Sequence, residues 1–195
     1  VEQVARMSDP TACAVSAICY SDVFLAGVRW ISKPHFLQAV ATVANVPILA
    51  GIGGGLTKGL RAATIGAFAE ESGAQAVVLN APTPIETLIN VNRVVDVPTI
   101  YTIVRHMDDL NARIDAGVAA FNIAGGKETA NLVAEVRAAI DSKHPNFPII
   151  ASGGKTDEQI TATIEAGANA VTFAAYGVTE ATFHAKMEAY RKQKS

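Results

Sequence analysis

Short runs of apolar, often β-branched residues recur along the chain, and each is followed by an amphipathic stretch of about 10–16 residues. The runs show no alternation of apolar and polar positions, which is typical of strands covered on both faces, as in a parallel sheet wrapped by helices. The pattern predicts eight strands: Glu2–Arg6, Val23–Val28, Pro47–Ile52, Ala76–Ala81, Thr99–Val104, Ala119–Ala124, Pro148–Ser152 and Ala170–Ala175.

Helix start signals stand between the predicted strands. Thr83 to Glu86 reads as a capping box with Pro84 at the first helical position, and Thr156 to Gln159 reads as a second box. The helix after the third strand is expected to turn one apolar face to the sheet. That face contains Leu60, Ile65 and Phe68.

An internal repeat supports this division of the chain. Three strands are introduced by an apolar residue and a proline, at Pro47, Pro98 and Pro148, with spacings of about 50 residues. Three others follow a helix-ending glycine, at Gly73, Gly117 and Gly167. The two kinds alternate, which indicates a βαβα module used about four times.

Eight β/α units with right-handed crossovers close most naturally into a (β/α)8 TIM barrel. We therefore predict one compact α/β domain over residues 1–195, with about 24 residues per unit and no room for a lid domain. The rival is an open doubly wound sheet. No strand is followed by the spaced glycine fingerprint that such a sheet uses for dinucleotides.

Composition narrows the class of protein. With 50% hydrophobic residues, 17% charged residues and a mean hydropathy of +0.25, the chain can bury a full core. A formal net charge of −2 argues against a nucleic-acid partner. The apolar runs are too short to span a bilayer and no signal peptide is recognisable, so we expect a cytoplasmic protein without a membrane partner. The chain opens at Val1 rather than methionine, which suggests that N-terminal residues are missing.

The two cysteines, Cys13 and Cys19, fall in what reads as one helix. Their number and spacing provide neither a disulfide framework nor a metal or redox motif. We expect both to be small apolar fillers of the core.

In such a barrel the site is built from residues that follow the strands. These loops are basic and glycine-rich, which favours an anionic ligand. The candidate substrate-binding residues are Arg6, Arg29 and Arg105, whose guanidinium groups can grip a carboxylate or phosphate, and Asn80 and Asn122, whose amides can bind sugar hydroxyls or tie adjacent loops together. The acids Asp9, Asp108, Glu128 and Asp157 all fall where a helix begins, so we expect capping roles, no metal site and no cofactor.

The strongest anion signal lies after the last two predicted strands. Bare glycine amides at two facing loops can donate hydrogen bonds to a phosphate, a recurrent feature of TIM barrels. The candidate phosphate-binding residues are Ser152, Gly153 and Gly154 in one loop and Ala175, Tyr176 and Gly177 in the other. The alternative is that these glycines merely allow tight turns. The run Gly53–Gly55 is open to two readings, a phosphate cradle or a mobile loop.

Two residues are candidates for catalysis. His106 is the one histidine predicted at the carboxyl edge of the sheet, where it could act as a general acid or base. Lys127 follows two glycines and could either attack a carbonyl or neutralise ligand charge.

The segment Pro148–Thr156, followed by Ile164–Val171, resembles the C-terminal quarter of the phosphate-binding TIM barrels, including the deoxyribose-phosphate aldolases. The aldolase family has its Schiff-base lysine within the sixth strand, where this chain has Phe121–Ala124 and a lysine only at Lys127. In layout, with Arg6 closing the first strand, the chain also resembles the glycerol-3-phosphate-responsive antiterminators.

These resemblances imply two hypotheses. The first is an enzyme, an isomerase, epimerase or aldolase-type lyase, that acts on a small phosphorylated metabolite. The second is a non-catalytic metabolite sensor like the antiterminators. A compact apolar barrel could also form a homodimer.

Overall fold

The computed structural model describes residues 15–18, 37–38, 41–42, 47–54, 57–152 and 156–172. Within them seven strands form one parallel sheet in chain order, the topology of the predicted (β/α)8 barrel. The strands are β1 Val15–Ile18, β2 Ile48–Gly54, β3 Ala76–Asn80, β4 Thr99–Ile103, β5 Val118–Ile123, β6 Ile149–Ser152 and β7 Ala170–Thr172. The helices are α1 Leu60–Glu71, α2 Ile85–Asn92, α3 Leu110–Asp115, α4 Thr129–Ile140 and α5 Asp157–Glu165. No helix in these ranges is both long and apolar enough to cross a bilayer.

The strands β2 to β7 correspond to the last six predicted strands, with ends that differ by a few residues. The predicted strands Glu2–Arg6 and Val23–Val28 lie outside the described residues. The prediction of one helix spanning Cys13 and Cys19 is wrong, because Val15–Ile18 is a strand paired in parallel with β2. The alanines of this segment suggest a helix, but pairing with a neighbouring strand overrides so weak a local preference.

The sheet has two distinct faces. On one face, large side chains such as Leu79, Tyr101 and Phe121 pack against the helices in the main core. On the other face a small cluster lies toward the amino ends of the strands; its buried members are Ala76, Ile100 and Ala120. Because side chains alternate along a strand, the same sheet closes one core with the helices and a second one inside the barrel.

At the amino edge of the sheet two pairs of hydrogen bonds hold neighbouring strands in register. The Gln75 amide donates to the Ile48 carbonyl at 2.9 Å, and the Ile48 amide donates to Gln75 Oε1 at 2.7 Å. Asn169 makes the same pair with Ile149, at 2.8 and 2.9 Å. We call each pair an amide lock. The two locks occupy equivalent positions of the predicted repeat; Ala119 stands at the third.

The predicted inward face of α1 is wrong in part. Ile65 is buried, but Leu60 is 76% exposed and Phe68 is 58% exposed. At 3.6 residues per turn, Leu60 and Ile65 point roughly 140° apart, so they cannot share one face. The buried side of α1 consists instead of small residues around Ile65: Ala62, Ala63, Gly66 and Ala69.

One of the two predicted capping boxes is confirmed at its N-cap. Thr156 caps α5, and its Oγ1 accepts from the Gln159 amide at 3.4 Å. The capping box predicted at α2 is not formed, because Pro84 is the N-cap residue rather than the first residue of the helix. The hydroxyl of Thr83 instead donates backwards to the Asn80 carbonyl at 2.6 Å, so it stabilises the end of β3 rather than the helix start.

We predict that Gln75→Ala lowers the free energy of unfolding by about 1–2 kcal/mol, because the Ile48 amide loses its acceptor. Asn169→Ala should cost more, since Asn169 Oδ1 also accepts from Arg137 at 2.6 Å. Urea denaturation measures both. The control Asn90→Ala, an amide on α2 outside the locks, should change stability by no more than about 0.5 kcal/mol. Equal effects of all three variants would contradict the assignment.

Candidate functional site

The face of the sheet that points away from the helices becomes polar toward the carboxyl ends of the strands. Asn80, Thr102 and Asn122 are direct neighbours in the registers of β3, β4 and β5. The Nδ2 group of Asn122 donates to Thr102 Oγ1 at 3.1 Å. Ser152 and Thr172 pair on β6 and β7 at the same end of the sheet. We call Asn80, Thr102 and Asn122 the polar row.

One acceptor of the polar row has no partner. Among the described residues, Asn122 Oδ1 is buried and makes no hydrogen bond. Leaving such a group unpaired costs roughly 1–3 kcal/mol, so most buried polar atoms have a partner. A ligand hydroxyl or N–H group could donate to this oxygen, as is common where a pocket holds a few polar groups among apolar ones.

A glycine brings the end of β2 against the polar row. Gly54 has φ 143°, and a Cβ there would lie 2.6 Å from the Asn80 carbonyl oxygen, which no side chain tolerates. Two backbone hydrogen bonds of 3.1 and 3.2 Å join Gly54 to Thr57. For Gly53 and Gly54 the mobile-loop reading is therefore wrong, because both residues belong to β2. The phosphate-cradle reading stays a prediction, and Gly55 lies outside the described residues.

Lys127 and Ser152 line one small cavity of about 80 Å³. Lys127 is exposed in a short 3-10 helix, Gly126–Glu128, between β5 and α4, and Ser152 ends β6. Thr163 of α5 also lines this cavity. The structure therefore brings together one candidate catalytic residue and one candidate phosphate-binding residue.

Arg105 and His106 lie in a different place, a cleft of about 630 Å³ between the loop after β4 and the start of α4. The His106 side chain is 70% exposed; its Nε2 lies 3.0 Å from Asp108 Oδ1 and its Nδ1 lies 3.3 Å from Glu135 Oε2. The hydrogen bond with Asp108 and then that with Glu135 raise the pKa of His106 above its usual value. This environment favours the imidazolium, which suits a proton donor better than a base.

The acids of this edge do not all cap helices. Asp108 binds His106, and Asp109 is the N-cap of α3. Glu128 is the N-cap residue of α4, but like Asp109 it makes no side-chain capping hydrogen bond; its carboxylate instead accepts from Asn131 Nδ2 at 2.8 Å. The predicted capping role is therefore wrong for Asp108, whereas Glu128 has the predicted N-cap position without the capping hydrogen bond. Asp157 lies in the first turn of α5, where its negative charge interacts favourably with the helix dipole. Asp9 lies outside the described residues.

Arg113, which is not among the predicted site residues, fixes the loop after β3. Its Nε and Nη2 groups donate to the Asp109 carboxylate at 3.0 and 2.8 Å, and its Nη1 group donates to the Thr83 carbonyl at 2.8 Å. The guanidinium carbon lies 4.2 Å from the ring centre of Tyr101. Burial raises the pKa of the Tyr101 hydroxyl, and the Arg113 charge opposes this effect. The Asp109–Arg113 spacing of four residues was the available signal.

Several predicted site residues fall outside the described residues. The arginines among them are Arg6 and Arg29. The phosphate-binding candidates among them are Gly153, Gly154, Ala175, Tyr176 and Gly177. Their roles stay predictions.

No protein-family profile matches the chain, and no curated protein matches it in sequence. Solved structures do match. A dihydrodipicolinate synthase of Bacillus anthracis is 18% identical, with a TM-score of 0.66 over 99% of this chain and 70% of its own. A proposed lyase/mutase of Burkholderia cenocepacia is 16% identical, with a TM-score of 0.67 over 98% and 78%. A mandelate oxidase mutant with a monooxide FMN adduct is 18% identical, with a TM-score of 0.66 over 89% and 58%.

These similarities confirm the predicted fold class, a TIM barrel with parallel strands. With 385 matching chains, the fold is too widespread to identify an activity. The chain spans 58% of the mandelate oxidase chain and 64% of a second dihydrodipicolinate synthase, from Agrobacterium tumefaciens. The neighbours include lyase-type enzymes, but what each of them does is a property of that protein.

We predict that the pKa of His106, measured by NMR titration of its ring protons, lies above the usual value for histidine. Asp108→Asn should lower this pKa more than Glu135→Gln, because the Asp108 hydrogen bond is the larger cause. Since the folded-state pKa is raised, these contacts stabilise the protein below the unfolded-state pKa and are lost as the pH rises through the folded one. The control Asp115→Asn should leave the titration unchanged; a shift as large as that of Asp108→Asn would disprove the pairing.

Proposed function

We propose that the chain binds a small phosphorylated metabolite at the carboxyl edge of its barrel and acts on it as an isomerase, epimerase or aldolase-type lyase. The supporting observation is the polar row, with an unpaired Asn122 oxygen at the end of the sheet where TIM-barrel enzymes bind their ligands. The proposal takes residues 1–195 as one barrel domain. The lyase-type neighbours favour this reading by analogy only.

In this proposal the polar row orients the ligand. Asn80 and Asn122 offer amide groups to the hydroxyls of a sugar or sugar-like chain, while Thr102 fixes the Asn122 side chain by accepting from it. Neutral hydrogen-bonding groups suit hydroxyls, because they hold them without attracting competing ions. The ligand hydrogen bond would also satisfy the Asn122 oxygen that lacks a partner.

The phosphate end would bind near Ser152. Gly153 and Gly154 would supply backbone amides from one loop, and the turn Ala175–Gly177 would supply them from the facing one. Lys127, which shares a cavity with Ser152, would neutralise the phosphate charge or attack a carbonyl. Asp157 and Glu158 stand in the first turn of α5, so that helix N-terminus is already compensated and the phosphate would rely on the loops.

His106 would transfer the proton. Arg105, beside it, would bind a second anionic group of the ligand. The hydrogen bonds with Asp108 and Glu135 that raise the pKa of His106 favour the protonated ring, which is the form that can donate a proton. His106 lies in a cleft distinct from the Lys127 cavity. A substrate that engages both would have to extend along the edge of the sheet.

We predict that a phosphosugar binds more tightly than its dephosphorylated counterpart in isothermal titration calorimetry. Lys127→Ala should weaken the binding of the phosphosugar by about 10–100-fold, because a charged hydrogen bond is lost. Asn122→Ala should weaken the binding of both the phosphosugar and its dephosphorylated counterpart by up to about tenfold, because it removes a contact to the hydroxyls that the two ligands share. Lys143→Ala, an exposed lysine beyond α4, serves as the control and should change neither affinity.

Turnover of a phosphosugar panel, abolished by Lys127→Ala or His106→Ala, would establish an enzyme. Saturable binding without turnover, together with RNA retention that changes when the ligand is added, would instead establish the sensor. Equal affinity for the phosphorylated and dephosphorylated ligands would refute the proposed phosphate site.

We predict that Gly154→Val weakens phosphate-ester affinity far more than it lowers the melting temperature, because the added side chain would block the approach of the phosphate to the backbone. Thermal unfolding and calorimetric titration of the same variant measure the two effects. A large loss of melting temperature with unchanged affinity would assign this glycine to a tight turn.

A further inference from the structure

The outward face of α1 carries exposed apolar side chains at its start and toward its end. Leu60 is 76% exposed and Phe68 is 58% exposed, while Thr64 and Ala67 lie between them on the same side of the helix. Val94, which follows α2, is 49% exposed beside this face. Single exposed apolar residues are ordinary, but a contiguous set of this kind indicates a contact surface.

This face contains a groove that can accept an aromatic side chain. The groove has a volume of about 370 Å³ and lies between α1 and the end of α2. Its floor is made of small side chains, so a partner helix can approach closely. The groove is lined by Leu60, Ala63, Thr64, Ala67, Phe68, Glu71 and Val94.

The charged residues that flank the face would meet opposite charges on an antiparallel second copy of the same helix. Arg61 stands at the start of α1 and Glu71 at its end, roughly 15 Å apart along the helix. Both side chains are exposed, and in the described part of the chain neither makes an ion pair. A helix with a positive charge near its start, a negative charge at its end and the exposed Phe68 ring between them matches a second copy of itself that runs in the opposite direction.

We propose that α1 is a homodimer surface on which two copies of this chain pack their α1 helices antiparallel about a two-fold axis at the level of Gly66. This single register places the aromatic ring in the groove and also pairs the opposite charges. It sets Phe68 level with Thr64 of the partner subunit, in the centre of the partner's groove. It also sets Arg61 level with Glu71 of the partner subunit, twice per dimer. The carboxyl edge of the sheet stays open, so the surface is independent of the proposed function.

The full chain in analytical ultracentrifugation should sediment at twice its monomer mass of 20.3 kDa. Arg61→Glu and Glu71→Arg should each weaken the dimer by about tenfold or more, because each variant sets like charges opposite one another. Mixing the two single variants in equal amounts should restore the dimer, since a mixed pair has opposite charges at both contacts. Phe68→Ser should weaken the dimer to a similar extent.

Lys143→Glu, an exposed charge reversal away from α1, is the matched control and should leave the dimer intact. Circular dichroism checks that every variant keeps its helical content. A monomeric wild-type chain would overturn the proposal. A dimer that tolerates both charge reversals, or that mixing fails to restore, would overturn this register and this face. Ligand affinity should be the same in all of these variants, which keeps the test separate from that of the proposed function.

Discussion

A parallel sheet must be covered on both faces, and this constraint organises the whole molecule. In the central strands, large side chains such as Tyr101 and Phe121 are buried against the helices, while Ala76, Ile100 and Ala120 are buried inside the barrel. Only the carboxyl end of the inner face does not have to be covered by other apolar side chains. Polar side chains collect there because the barrel opens at that end, so the position of the candidate site follows from the packing of the sheet.

Much of the fold was predictable because two-sided burial leaves a strong trace in the sequence. The strands β2 to β7 appear as apolar runs, and the glycine and proline that alternate before them locate the turns. The N-terminal strand Val15–Ile18 was not predictable in the same way. The alanines in and before it suggest a helix, and its pairing with β2 is a contact between segments about 30 residues apart. The outward direction of Phe68 does not follow from its apolar character, because large apolar side chains are also found on protein surfaces.

The candidate site was predictable residue by residue but not in its grouping. Asn80 and Asn122 were found from their positions at strand ends, whereas Thr102 between them was overlooked because a threonine within a strand looks ordinary. The sequence placed His106 and Lys127 at one edge, but side-chain contacts set them apart: Asp108 and Glu135 hold His106 beside α4, and Lys127 shares its cavity with Ser152. Such grouping depends on side-chain direction, which spacing alone does not determine.

The amide locks have a consequence for how this barrel can change. They fasten the sheet at the end opposite the polar row, with side chains whose bonds involve no loop at the open end. The hydrogen bonds that align these strands and the candidate site therefore lie at separate ends of the sheet. Loops at the open end can be exchanged or lengthened while the base of the barrel keeps its alignment, so the scaffold suits the engineering of new specificities.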